Sequence, residues 1–149
     1  MDKPIIDFIK EHHVMTLATM TCGMGSGEKQ QTQCTVPYCS NLFYAWDGTH
    51  FVVTSSDSTR HAQDAARNPN VAAAIVLETK TVGKIQGLQL QGIMRRPCKE
   101  EMKNARKAYL RAFPFAVFMD LELWFIEPTF AKLTDNRLGF GKKLVWTAQ

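Results

Sequence analysis

Between Lys84 and Arg96 the chain alternates, with Leu88, Leu90 and Met94 on one side of an extended backbone and Gln89, Gln91 and Ile93 on the other. Successive side chains of a strand point to opposite faces, so this segment can bury only one face. Strands with one apolar and one polar face belong to antiparallel sheets, because parallel sheets are covered on both sides. Gly87 and Gly92 lack side chains, so a neighbouring backbone or a flat ligand can approach closely at those points.

The rest of the chain reads consistently with a sheet protein. Asp2 is placed to cap a first helix in which Ile5, Ile6, Phe8 and Ile9 recur at helical spacing, ending near Glu11. His13 to Met20 reads as a strand and Cys22 to about Gln31 as a loop. A second strand region runs from Thr32 to Trp46, interrupted by Pro37. The Asp47-Gly48 turn then leads into a strand from His50 to Ser55, completing a hairpin. A short helix from Thr59 to Asn68 follows, ended by Asn68-Pro69. Val71 to Glu78 is a continuous apolar run suited to a strand buried on both faces. Lys99 to Phe113 reads as a helix with Met102, Ala105, Tyr109 and Ala112 inward. Leu121 to Lys132 returns to strand, broken by Pro128, and Leu133 to Trp146 closes the chain. This order predicts a mainly β protein, an antiparallel sheet or small barrel with flanking helices.

A chain of 149 residues with 45% hydrophobic content can build one core of ordinary size, so residues 1–149 are expected to form a single domain. A formal charge of +4 without a clustered patch gives no argument for nucleic acid. No apolar run approaches the roughly 20 residues that span a bilayer. Met1 to Ile5 lacks the basic and apolar regions of a secretory signal, so a cytoplasmic protein is expected. Cys22, Cys34, Cys39 and Cys98 show no C-x-x-C spacing and read as reduced thiols, Cys34 and Cys39 as small hydrophobes in strands. His12, His13, His50 and His61 are scattered, and no metal site is expected.

Chemistry concentrates in Phe51-Val52-Val53-Thr54-Ser55-Ser56-Asp57-Ser58-Thr59-Arg60-His61, where a strand meets hydroxyls and a cation just before a helix. A helix start offers free N–H groups and the positive end of the dipole. A phosphate there would find donors from Ser58, Thr59 and the main chain, and charge from Arg60. Ser and Thr are also ordinary helix caps, so the pattern alone allows a purely structural turn.

The strand Asn41 to Gly48, the strand end Phe51 to Thr54, the Ser58-Thr59-Arg60-His61 turn and Arg67-Asn68-Pro69-Asn70-Val71 together resemble the pyridoxamine phosphate oxidase-like FMN-binding split-barrel superfamily. Thr59-Arg60-His61-Ala62-Gln63, Gly87-Leu88-Gln89, Ala105 to Tyr109 with Phe113-Pro114, and the tail Thr134 to Lys143 with Trp146 resemble a small bacterial subgroup of it. The resemblance implies an antiparallel six-stranded split β-barrel that forms a homodimer with FMN at its interface. It implies that Thr54, Ser55, Ser58, Thr59 and Arg60 grip the phosphate, with His61 where relatives often carry lysine. The ring would lie along the second and third strands, beside Val53 and the backbone of Cys39, Ser40 and Asn41. Gln89 and Gln91 would reach in from the other subunit; as an isolated pair they read equally as the solvent face of an edge strand. Trp124 could cover the ring, although a place in the core or an interface suits a tryptophan as well. The arm Asp135 to Lys143, with Lys142, could pack near the flavin. Arg95, Arg96, Lys142 and Lys143 are candidate cations for the phosphates of a nicotinamide partner. The functions implied are an FMN-dependent oxidoreductase acting on a small molecule or a nicotinamide and, alternatively, a non-catalytic flavin-binding, storage or redox-sensing protein. No nucleic-acid or membrane partner is expected.

Overall fold

A computed structural model describes residues 1–21 and 36–149. The expected loop Cys22 to Gln31, the first residues of the second strand region, and Cys22 and Cys34 lie outside the described residues.

The chain opens with helix α1 (Lys3–Glu11), started by a proline in its first turn, where a missing N–H costs nothing. Asp2 occupies the cap position, but its carboxylate makes no capping bond; its backbone carbonyl accepts from Ile5 and Ile6 instead. The strands are β1 (Val14–Thr21), β2 (Val36–Trp46), β3 (Phe51–Thr54), β4 (Asn70–Val76), β5 (Gln86–Arg95), β6 (Leu123–Asp135) and β7 (Lys143–Thr147). All pair antiparallel in the order β3-β2-β1-β4-β5-β6-β7, and β3 also pairs with β6, closing six strands into a ring. β6 makes this possible by its length. One edge follows β5, while the other pairs with β3 over Leu123 to Ile126 and with β7 over Phe130 to Thr134. The expected six-stranded ring is present, with a seventh strand where β3 leaves off.

Pro128 does not break β6 as its sequence suggests. It stands opposite Gly92 at a register shift between Gln91 and Gly92, where the ladder does not need its N–H. Gly92 makes that approach possible, since a Cβ there would sit 2.5 Å from the carbonyl oxygen of Glu127. The close approach anticipated at Gly92 is thus made by the neighbouring strand. Pro37 likewise sits within β2, beyond the reach of β3, which pairs only with Tyr44 to Trp46.

The inward faces of the ring carry Leu17, Tyr44, Phe51, Val53, Ile75, Leu88, Leu90, Met94 and Ile126, packed with Ile5, Phe8 and Ile9 of α1. The Tyr44 hydroxyl donates to the carbonyl of Ile9 at 2.8 Å, and burial pushes its ionisation well above the ordinary range. Helix α2 (Arg60–Arg67) packs on β1, β2 and β5 through Ala62 and Ala65. Helix α3 (Lys99–Ala112) covers the outer side of β2, β3 and β6, burying Ala105 and Tyr109 against Ala45, Val52 and Phe125. Met102 and Ala112, expected inward, are exposed, because only a narrow stripe of α3 meets the sheet. β4 also departs from expectation. Val71, Ala73 and Ile75 are buried while Ala72, Ala74 and Val76 are exposed, since among the described residues no helix covers the outer face it shares with β1 and β5. Among the described residues no helix is long and apolar enough to cross a membrane.

Replacing Gly92 by alanine should cost about 1–3 kcal/mol, since the added methyl meets rigid backbone. Gly83→Ala, where a Cβ meets nothing within 4 Å, should change stability by less than about 0.5 kcal/mol. Urea denaturation of the two variants tests this contrast.

Candidate cofactor site

β3 ends at Thr54, and the chain then turns under the control of the first residues of β6. The Ser55 N–H donates to the carbonyl of Glu122 at 2.9 Å, and the Trp124 indole N–H donates to the carbonyl of Ser55 at 3.0 Å. The Thr59 hydroxyl donates to the carbonyl of Ser56 at 2.8 Å. Ser55 Oγ stands 2.8 Å from Thr59 Oγ1 and 2.7 Å from His61 Nε2. With the Thr59 proton spent on Ser56, one arrangement satisfies these contacts: His61 Nε2–H donates to Ser55, and Ser55 donates to Thr59. Burial holds the imidazole of His61 below its ordinary value of 6.5, with the nearby Asp64 carboxylate partly offsetting the effect. His61 is therefore neutral in the folded protein near neutral pH.

Thr59 occupies the cap position of α2 but makes no side-chain capping bond. The first backbone N–H groups of the helix thus keep no partner within it, which is the donor set an anion needs. Arg60 is exposed beside them. Its guanidinium donates to Thr21 Oγ1 at 3.0 Å and lies 4.3 Å from the centre of the Tyr38 ring, and its Nε is 3.8 Å from Asp64. Asp64 is buried and accepts from Thr19 at 3.1 Å and Thr21 at 3.2 Å. Arg60 is thus held at the rim of the turn by β1 and β2, outside the Ser55–Thr59–His61 hydrogen-bond chain. Ser58 bonds to Ser56 at 3.0 Å and both are exposed.

The strap around this turn is the part that sequence reading missed. Arg96 pairs with Asp57 and Glu122, donates to the carbonyl of Leu123 at 2.9 Å, and lies 4.0 Å over the Trp124 ring. Asp57 and Glu122 lie 39 and 26 residues from Arg96, and no local pattern announces such pairings. Arg95 is bound to Glu101 at 2.8 and 2.9 Å and to Glu127 at 3.4 Å, which holds the Glu101 carboxyl well below the usual range. Both arginines, expected as cations for a dinucleotide, already have acidic partners. Trp124 is 5% exposed and covered by Arg96, so it braces the turn instead of offering a face to a ring. Val53 is fully buried in the core and paired on both sides, so it is closed to a ligand.

Of the other expected residues, Cys39, Asn41, Gln89 and Gln91 fall on the outer face of the sheet. One row across the strands reads Asn41, Thr16, Ala74, Gln89, Lys132; the next reads Cys39, Ala18, Ala72, Gln91, Phe130. Small side chains in the middle leave a shallow hollow of about 450 Å³ flanked by the two glutamines. Cys39, expected as a small hydrophobe in a strand, lies in β2 as an exposed thiol on this face. Ser40 faces inward beside Leu17, and its buried hydroxyl has no partner among the described residues. Thr54 is half-buried at the end of β3. Lys142 lies at the far end of β6, since Leu123 pairs with Thr54 while the Lys142 carbonyl accepts from Asp135. About 40 Å of strand separates the two ends. Within one copy of the chain Lys142 therefore stands apart from the turn.

A closed ring of antiparallel strands with helices on its flanks is the split-barrel fold, and solved structures share it. A heme binding protein from Mycobacterium smegmatis superposes with a TM-score of 0.68 at 24% identity over 94% of this chain, which spans 57% of that one. The heme storage protein HutZ of Vibrio cholerae gives 0.60 at 15% identity, covering 98% and 93% of the two chains. A candidate pyridoxamine 5′-phosphate oxidase of Listeria innocua gives 0.59 at 15% identity, covering 86% and 93%. No protein-family model matches the chain. The UPF0306 protein YhbP of Salmonella arizonae is 44% identical over 111 residues, 73% of this chain and 76% of its own. Its counterpart in Escherichia fergusonii is 38% identical over 141 residues, 93% and 88% of the two. The chain belongs to the UPF0306 family.

His61 should titrate below 6.5 in NMR of the folded protein. Its folded value is depressed, so the unfolded chain takes up the proton first. The stability contribution of neutral His61 is complete above about pH 6.5 and shrinks as pH falls below that value. Denaturation of the protein and of His61→Gln across this range should show a loss in the former that the latter lacks.

Proposed function

We propose that the protein binds FMN as a homodimer, with the phosphate at the Ser55–His61 turn and the ring against the outer face of the sheet. The observation that carries this reading is the uncapped start of α2. Thr59 turns its hydroxyl away from the helix, leaving backbone donors beside Ser55, Ser58 and Arg60. The residues fit a phosphate monoester. They combine main-chain N–H groups, the exposed Ser58 hydroxyl and the Arg60 guanidinium, while the neutral His61 spends its one N–H on Ser55 and fixes the turn that presents them. The glutamines and the small residues of β1, β4 and β5 suit a second copy closing over the ring, and symmetry then gives two equivalent sites. Once bound, FMN would supply hydride or electron transfer, and the chain would supply position and exclusion of water.

Between the two flavin roles, the ion pairs of Arg95 and Arg96 favour flavin binding or storage over a nicotinamide-dependent oxidoreductase, since two of the four candidate dinucleotide cations already have acidic partners and the other two, Lys142 and Lys143, lie at the far end of β6. A second reading, a tetrapyrrole carrier, is supported by the names of two proteins sharing the fold. The spectrum of the purified protein separates them: a flavin band supports the proposal, and a Soret band with no flavin overturns it. Arg60→Ala removes a charge-assisted hydrogen bond and should weaken FMN binding roughly tenfold or more; unchanged affinity would contradict the assignment. Anaerobic mixing with NADH or NADPH should leave the flavin oxidised, and rapid bleaching would restore the reductase. Light scattering should report a dimer.

A further inference from the structure

We propose that the protein carries a second ligand site, separate from the Ser55–His61 turn, that takes a small planar aromatic acid bearing a hydrogen-bond donor. A cavity of about 820 Å³ opens between the end of α1, the turn joining β2 to β3, and the flank of α3. It lies at the opposite end of β3 from the turn and shares no residue with it. Its size falls within the range of roughly 300–1,000 Å³ typical of small-molecule sites.

The floor is aromatic. Its open rings are the half-buried Trp46 and His50, and the His50 ring lies flat on the buried Phe125, with centroids 4.3 Å apart and planes 7° from parallel, which leaves the other face of His50 for a ligand. Such a surface accepts another flat ring by offset stacking.

The walls are cationic in effect, although acids stand among them. Asp47 is consumed by the N–H groups of Thr49 at 2.7 Å and His50 at 2.6 Å and by His50 Nδ1 at 3.1 Å. Glu101 is consumed by Arg95 and by the N–H of Cys98 at 2.8 Å. Lys10 from α1 and Lys107 and Arg111 from α3 line the same cavity, and among the described residues none of the three has an acidic partner. Three uncommitted cations over an aromatic floor call for an anion attached to a ring.

The histidines refine the chemistry. His12 donates from Nδ1 to the carbonyl of Phe8 at 2.8 Å, and His50 Nδ1 is turned to Asp47. In the neutral ring each arrangement leaves Nε2 as an acceptor, so the complementary ligand carries a hydroxyl or amino group as well as its acid.

The test uses hydroxynaphthoate as the probe and naphthol as the same ring without the acid, followed by titration calorimetry. Hydroxynaphthoate should bind at one site per chain, with naphthol at least tenfold weaker. The double variant Lys107→Ala, Arg111→Ala should lose at least tenfold in hydroxynaphthoate affinity while its Tm stays that of the parent, since both side chains are exposed. Equal binding of the two probes, or undiminished binding by the folded double variant, would overturn the proposal. So would NMR shifts confined to the exposed Phe115 and Phe118 instead of the cavity. None of these outcomes depends on FMN, so either site can fail without the other.

Discussion

The pairing of β3 with β6, four residues long, is the contact on which the rest of the arrangement depends. It closes the ring, and it brings Leu123 beside Thr54 so that Glu122 and Trp124 can hold the backbone of Ser55. Because β3 is so short, the chain leaves the sheet while β2 still continues through Asn41 and Cys39. A turn rich in hydroxyls therefore sits beside an open stretch of sheet face.

Electrostatics then decide what that turn can hold. Asp57 and Glu122 would repel an anion if they were free, and Arg96 absorbs both while stacking on Trp124. A neutral His61 and an uncapped helix start leave Arg60 as the exposed cation of the turn, itself tethered near the buried Asp64. Hydrogen-bond donors matter more here than net charge, which suits a site in which burial has already neutralised the histidine.

Much of this was legible in the sequence, and the failures have physical causes. The period-two pattern of Leu88, Gln89, Leu90 and Gln91 placed β5 and both its faces correctly, because burial alternates strictly there. The apolar run of β4 misled, because alanine is tolerated on an exposed face and three of its residues are alanines. Pro128 looked like a break because the register shift beside it, which leaves Thr129 of β6 unpaired opposite Gln91 and Gly92, depends on the pairing with β5 and cannot be read from β6 alone. At the site, Ser55, Thr59 and His61 did converge, since all lie within one turn. Arg96 and Trp124, for which the sequence left both a ligand contact and a structural place open, brace the turn, and His12, His13 and His50, read as scattered, line a single cavity. Each of these outcomes concerns partners distant in sequence, which only the closed ring brings together.

The central claim is that the Ser55–His61 turn recognises a phosphate, and the affinity difference between FMN and riboflavin tests it most directly. The account predicts that FMN binds at least tenfold more tightly than riboflavin and that inorganic phosphate competes with FMN. Equal affinities for the two flavins, with no competition by phosphate, would contradict it.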